Sequence, residues 1–180
     1  FNLDIFRPDW EVKSGNYIYS FVNCFDSQSH FIQDWAMFIE IERRMPTWYF
    51  RSFGGQCRDG SIGGAQNLAK KIREAKFIWH TKYGGDGYGH IIHNVPAVGR
   101  PLIVNKKYYQ GKLADDLLID GVTCLTIDNL SPEQIVKKIE HYSDDYRYLQ
   151  MCQKAYENFK RVVDFNAEEI KLRNFLANLL

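Results

Sequence analysis

The feature that most constrains this chain is a regular exchange between two hydrophobic patterns. Short runs rich in β-branched and aromatic residues alternate with longer stretches whose apolar residues return at helical spacing. Ser14-Gly15-Asn16 is a turn signal, and YIYSFVNCF at 17–25 follows it as the first strand. Asp26, Ser27 and Ser29 offer caps for a helix marked by Phe31, Trp35, Phe38 and Ile39, which runs to about Arg44 and stops before Pro46. TWYFRSF at 47–53 reads as the second strand, and the loop from Gly54 to Gly64 carries five glycines. The series continues with a helix over 65–75, the strand KFIWH at 76–80, a short helix near 88–98 and the strand PLIV at 101–104. A short helix around 113–119 and the strand VTCLTI at 122–127 come next. Ser131-Pro132-Glu133 then opens a helix with a cap, a first-turn proline and an early carboxylate. Helical stretches over roughly 144–160 and 164–180 finish the chain. At least four strand–helix alternations predict an α/β fold: a Rossmann-like parallel sheet with helices on both faces.

Composition supports one domain. The 180 residues are 45% hydrophobic, enough apolar surface to offset the entropy of ordering the chain. We read 1–180 as a single unit, with 1–13 as an extended lead-in and 144–180 as terminal helices. With 23 basic and 22 acidic side chains the net charge is +1, which gives no broad field for nucleic acid or acidic lipid. Cys24, Cys57, Cys124 and Cys152 form no C-x-x-C pair, so buried thiols in a reducing compartment are expected rather than zinc or a disulfide scaffold. No apolar run approaches the ~18 residues of a membrane span.

Ligands of such folds bind outside the carboxyl ends of the strands, so the loops there carry the search. The strongest is His80-Thr81-Lys82-Tyr83-Gly84-Gly85-Asp86-Gly87-Tyr88-Gly89-His90, between an apolar strand and a helix. Glycines admit close backbone approach, and a helix start presents unpaired N–H groups with partial positive charge. That combination suits phosphate. An ordinary glycine-rich turn would look the same. The loop lacks the Gly-Lys-Ser/Thr of a P-loop and the spacing of a dinucleotide fingerprint, and no G-x-S-x-G elbow is present.

Three segments, in order, carry a resemblance. DGYGHIIHNVPAVGRP at 86–101 resembles the donor-site signature of the retaining GT-B glycosyltransferases, roughly E-G-F-G-x-x-x-x-E-A-x-A-x-G-x-P. DDLLIDGVT at 115–123 is similar to that family's E-L-I-x-D-G-x-x-G stretch, and FNLDIFRP at 1–8 to its D-x-x-x-F-x-P segment. The resemblance implies the nucleotide-sugar-binding, carboxyl-terminal domain of a hexosyltransferase acting on a glycan or lipid-linked acceptor. Opening on Phe1 rather than Met, the chain is then expected to be half of an enzyme, inactive without an amino-terminal acceptor-binding domain. Retention of configuration follows from the group resembled, not from any residue. No metal or other cofactor is expected, because helix dipole and basic side chains stabilise the departing nucleotide diphosphate in this family. A cytoplasmic setting is implied, with peripheral contact to the inner face of a membrane as an option for the full-length protein.

Carried over residue by residue, Asp86 falls at the position that binds donor-sugar hydroxyls and is the catalytic candidate. Gly85, Gly87, Tyr88, Gly89 and His90 fall at the diphosphate, with Lys82 in the same loop. Asn94 stands where the family commonly places the acid that holds the ribose, and lacks its charge; His93 is the alternative partner. Pro96 should kink or shorten its helix. The family's Arg and Lys after the first strand are missing from Val22-Asn23-Cys24-Phe25-Asp26-Ser27, so a substitute cation is sought in Lys82, Arg51 or Arg58. His80 and Gly54 complete the candidates. Each has a plainer reading: Asp86 as a helix cap, His80 as a core histidine, Gly54 as a turn. Two other functions stay open, a non-catalytic binding domain on the same fold and another GT-B enzyme such as an epimerase or phosphorylase.

Overall fold

The computed structural model describes residues 2–85 and 89–178. Among these, five strands form one parallel sheet: β1 (Gly15–Ser20), β2 (Tyr49–Ser52), β3 (Ala75–Trp79), β4 (Leu102–Val104) and β5 (Cys124–Thr126). Six helices accompany them: α1 (Ile32–Arg44), α2 (Ala65–Glu74), α3 (His90–Ala97), α4 (Pro132–Tyr142), α5 (Asp145–Val162) and α6 (Phe165–Ala177). The strand order is β2-β1-β3-β4-β5. The chain moves outward from β1 to β2, then returns to the other side of β1 for β3. That reversal leaves a crevice at the carboxyl ends of β1 and β3.

Alternation along the strands builds two cores. Tyr19, Ile78, Leu102 and Val104 face the layer holding Ile72 of α2 and Ile92 and Val95 of α3. Ile18, Phe77, Trp79, Ile103 and Leu125 face Phe38 and Ile41 of α1 and Ile135 and Ile139 of α4. β3 is buried along its whole length, as expected of a strand covered on both faces. Helix α5 serves both layers, through Phe159 on one side and Met151 and Cys152 on the other. The expected doubly covered parallel sheet is therefore present.

Several local expectations need correction. The first strand stops at Ser20 rather than 25, because Val22 and Phe25 turn into the core beneath α1. None of Asp26, Ser27 and Ser29 caps a helix: α1 begins after a single 3₁₀ turn at Ser29–Phe31, with Phe31 at its N-cap and no side-chain bond. Asp26 instead accepts from the Arg58 amide at 2.6 Å. The helix expected around 113–119 is a 3₁₀ turn at Asp115–Leu117. Only Cys124 and Cys152 are buried; Cys24 and Cys57 are partly exposed. Ser131 makes the full capping box of α4 with Gln134, as its sequence context indicated.

Candidate functional site

A cleft of about 570 Å³ lies at the carboxyl ends of β1, β2 and β3. Its floor is polar: Asn23 and Gly54 from the loops after β1 and β2, His80 and Lys82 from the loop after β3, and Gly89, His90 and Asn94 at the start of α3. Its wall is apolar, with Phe21 and Phe53 stacked at 5.9 Å and 17°. The glycine at 54 has a structural reason. Its φ is +151°, and a Cβ there would lie 2.7 Å from Asn23 Oδ1 and 3.0 Å from Asn23 Cα.

Helix α3 is aimed at this cleft. Gly89 is its N-cap in extended conformation and has no side chain of its own to cover the first amides. The ring of His93 turns back to the Gly89 carbonyl, with Nδ1 to O at 2.8 Å. Nδ1 is therefore the protonated nitrogen, since the carbonyl can only accept. His93 thus braces the helix entrance and is not among the residues lining the cleft. Asn94, one residue on, does line it. It is 4% exposed, and its Oδ1 finds no hydrogen-bond partner among the described residues. A buried acceptor without a donor costs free energy, and a ligand hydroxyl would relieve it. Pro96 sits one residue before the end of α3, which is eight residues long, in keeping with the shortening expected.

Other candidates are placed elsewhere. Arg51 pairs with Asp59 at 2.8 Å on the exposed edge strand β2 and does not line the cleft. Arg58 is held by Glu42 at 2.7 Å, by Asp59 at 3.2 Å and by the Phe50 carbonyl at 2.9 Å, with its guanidinium over Trp35. Burial works against Asp59, yet the Ser52 amide and these two arginines hold its carboxyl below the ordinary value. Neither arginine is among the residues lining the cleft. Lys82 is the only lysine or arginine among the described residues of the lining. Gly85 also stays outside the lining: its φ is +60°, and a Cβ would run into the backbone carbonyl of Tyr108. Its glycine serves loop packing. Asp86, Gly87 and Tyr88 lie outside the described residues.

One residue near the site has no local signal in the sequence. Asp34, in the first turn of α1, is only 6% exposed. It accepts from Asn105 Nδ2 at 3.2 Å. Burial pushes its carboxyl up to about 6, partly offset by the Tyr83 amide, Lys107 and Asn105.

With this geometry in place, comparison with solved structures is informative. HepE of Anabaena, in complex with UDP-glucose, superposes with a TM-score of 0.73 at 10% identity, over 99% of this chain and 56% of that one. The fold matches that of GT-B glycosyltransferase carboxyl-terminal domains. Sucrose-phosphate synthase of Thermosynechococcus elongatus gives 0.73 at 15% identity, over 99% and 51% of the two chains. The carboxyl-terminal domain of LpcC, a group 1 family glycosyl transferase of Francisella tularensis, gives 0.60 at 13% identity, over 89% and 97%. This GT-B-like chain thus spans about half the length of HepE and of the synthase, and nearly all of the LpcC domain. No family model matches the sequence, and no curated protein does. Among the described residues no helix is long and apolar enough to cross a membrane.

Proposed function

We propose that this chain is the nucleotide-sugar-binding half of a glycosyltransferase that moves a hexose to a glycan or lipid-linked acceptor. The observation that carries the reading is the amino terminus of α3 opening, beside Lys82, into a cleft at the sheet's switch point. HepE, which shares this fold over 56% of its length, forms a complex with UDP-glucose. In this reading the first amides of α3 and the Lys82 ammonium face the diphosphate, and oppose the charge that grows on it as the glycosidic bond breaks. Fixed donors of this kind need no reorganisation during the reaction, and they take the place of a metal. Asn94 Oδ1 accepts from a donor hydroxyl, and Asp86 binds the sugar. The acceptor and the rest of the active site belong to an amino-terminal domain, so this chain alone binds donor without turnover.

Calorimetry with UDP, GDP and ADP tests the proposal on wild type, Lys82→Ala and Asp86→Ala. Binding of one nucleotide, weakened by Lys82→Ala, supports it. No binding by any of the three refutes it. A non-catalytic relative remains the second reading, favoured by the commitment of Arg51 and Arg58 to carboxylates away from the cleft. Sugar transfer by the protein together with an amino-terminal half would exclude that alternative.

A further inference from the structure

We propose that Cys24 and Cys57 form a redox-sensitive pair, and that their oxidation to a disulfide ties together two loops at the floor of the cleft. Neither thiol takes part in the donor-site reading, so the pair stands independently of it.

Two loops face each other at the sheet's switch point. The one after β1 carries Asn23 and Cys24, and the one after β2 carries Gly54 to Cys57. They are already hydrogen-bonded to each other. The Cys24 amide donates to the Gly55 carbonyl at 2.9 Å, and the Gly55 amide donates to Asn23 Oδ1 at 2.9 Å. A disulfide needs two backbones held close together, and these bonds hold them without it. Each cysteine side chain also crosses to the opposite loop. Cys57 Sγ donates to the carbonyl of Val22, two residues before Cys24, at 3.2 Å. Cys24 Sγ lies 3.7 Å from Oε1 of Gln56, the neighbour of Cys57. One group touches both cysteines: the Gly55 carbonyl, bonded to the Cys24 amide, is 3.7 Å from Cys57 Sγ.

Two further features set this pair apart. Cys24 and Cys57 are partly exposed, whereas Cys124 and Cys152 are buried, so a dissolved oxidant reaches the first two thiols. Cys24 and Gln56 also hold left-handed backbone, with φ of +57° and +59°, a region that residues other than glycine enter at a cost. Thiols are weak donors, and their contacts restrain such loops only lightly. A covalent bridge would restrain them firmly. The consequence reaches the cleft, because Asn23 and Gly54 line it and a Cβ on Gly54 would lie 3.1 Å from Cys57 Sγ.

The oxidant is a small disulfide such as glutathione disulfide. One cysteine thiolate attacks a sulfur of the oxidant, breaking its S–S bond and releasing one glutathione thiolate. The second cysteine thiolate then attacks the protein sulfur of this mixed disulfide and releases the other glutathione. The two cysteines give up two electrons and two protons, which leave as the two glutathione thiols.

The test incubates the dilute wild-type chain with glutathione disulfide, blocks the remaining thiols and digests it with trypsin. Arg43, Arg44 and Arg51 separate the two cysteines, so a bridge appears as two linked peptides that dithiothreitol releases. The expected product is monomeric and carries the Cys24–Cys57 link, with Cys124 and Cys152 reduced. Cys24→Ser and Cys57→Ser should each stop at a glutathione adduct on the remaining thiol. In the oxidised wild type, amide exchange at Cys24 and Gly55 should be at least about tenfold slower than in the reduced protein. Glutathione adducts on wild type without the link, or a link only between molecules, overturn the pairing. A link that leaves exchange at Cys24 and Gly55 unchanged overturns the tie between the loops.

Discussion

Two neighbouring glycines offer a matched test of how the Lys82 loop is held. Gly84 and Gly85 both occupy the left-handed region, with φ of +78° and +60°. A Cβ on Gly84 would meet nothing within 4 Å, whereas one on Gly85 would lie 3.0 Å from the carbonyl carbon of Tyr108 and closer still to its oxygen. Replacing either by Ala forces an L side chain into the left-handed region, at about 1–2 kcal/mol. Roughly half of that is recovered because alanine restricts the unfolded chain. Gly84→Ala should therefore cost about 1 kcal/mol. Gly85→Ala carries a further steric cost of about 1–3 kcal/mol, as the obstacle is backbone and not a flexible side chain. The loop would relieve that clash by lifting, at the expense of the Lys112–Gly84 bond and the Tyr83–Tyr108 contact. Urea unfolding of both variants, with amide exchange across residues 81–85, measures the difference. Equal losses of stability, with equal exchange, would refute the packing of this loop against Tyr108.

Three other outcomes follow from the same structure. Arg51→Ala should leave nucleotide affinity within about twofold, while Lys82→Ala weakens it about tenfold, since only the lysine lines the cleft and a charge-assisted phosphate contact is of that order. Calorimetric constants that reverse this ranking would argue against the site. Asp34 has a folded pKa above its unfolded value, so its contribution to stability is fully present below pH ~4 and is lost as pH rises through about 6. Asp59 and Asp120, held below the ordinary value by hydrogen bonds despite burial, act in the opposite sense only below that window. Urea midpoints of wild type relative to Asp34→Asn should therefore fall between pH 4.5 and 7, by an amount equivalent to roughly 2–3 kcal/mol at most. Finally, a thiol reagent should label Cys24 and Cys57 in the folded chain and reach Cys124 and Cys152 only on unfolding, with burial pushing the Cys124 thiol up to about 12. Four equally fast thiols would contradict the fold.

What the sequence disclosed, and what it withheld, divides by range. Strand and helix periodicities are local, so the sheet, its parallel sense and the helical layers could be read directly. The first strand was drawn too long because Phe21, Val22 and Phe25 are as β-prone as the residues before them. Their burial under α1 and in the cleft wall depends on a helix and a loop that arrive later. Lys82, His80, Asn94, Gly54 and the start of α3 do meet at one cleft, as strand-end reasoning indicated. Arg51 lies off the cleft lining, and its pairing with Asp59 is set by a loop whose path no pattern specifies. Asp34 was missed for a deeper reason. On its own helix it looks like an ordinary dipole-compensating acid, and Asn105, which donates to it, comes from a later crossover.

The position of β1 bears on how the chain reaches this structure. β1 forms the hub of the sheet, flanked by β2 and β3, and its ladder with β3 joins Ile18 to Phe77. A nascent chain exposes YIYSFV at 17–22 long before the strand that must cover it has been made. Such non-local parallel pairing makes for slow folding and leaves an apolar, uncharged segment open to other chains. Expression at low temperature or with a holdase chaperone should accordingly raise the soluble yield more than any substitution on the finished surface.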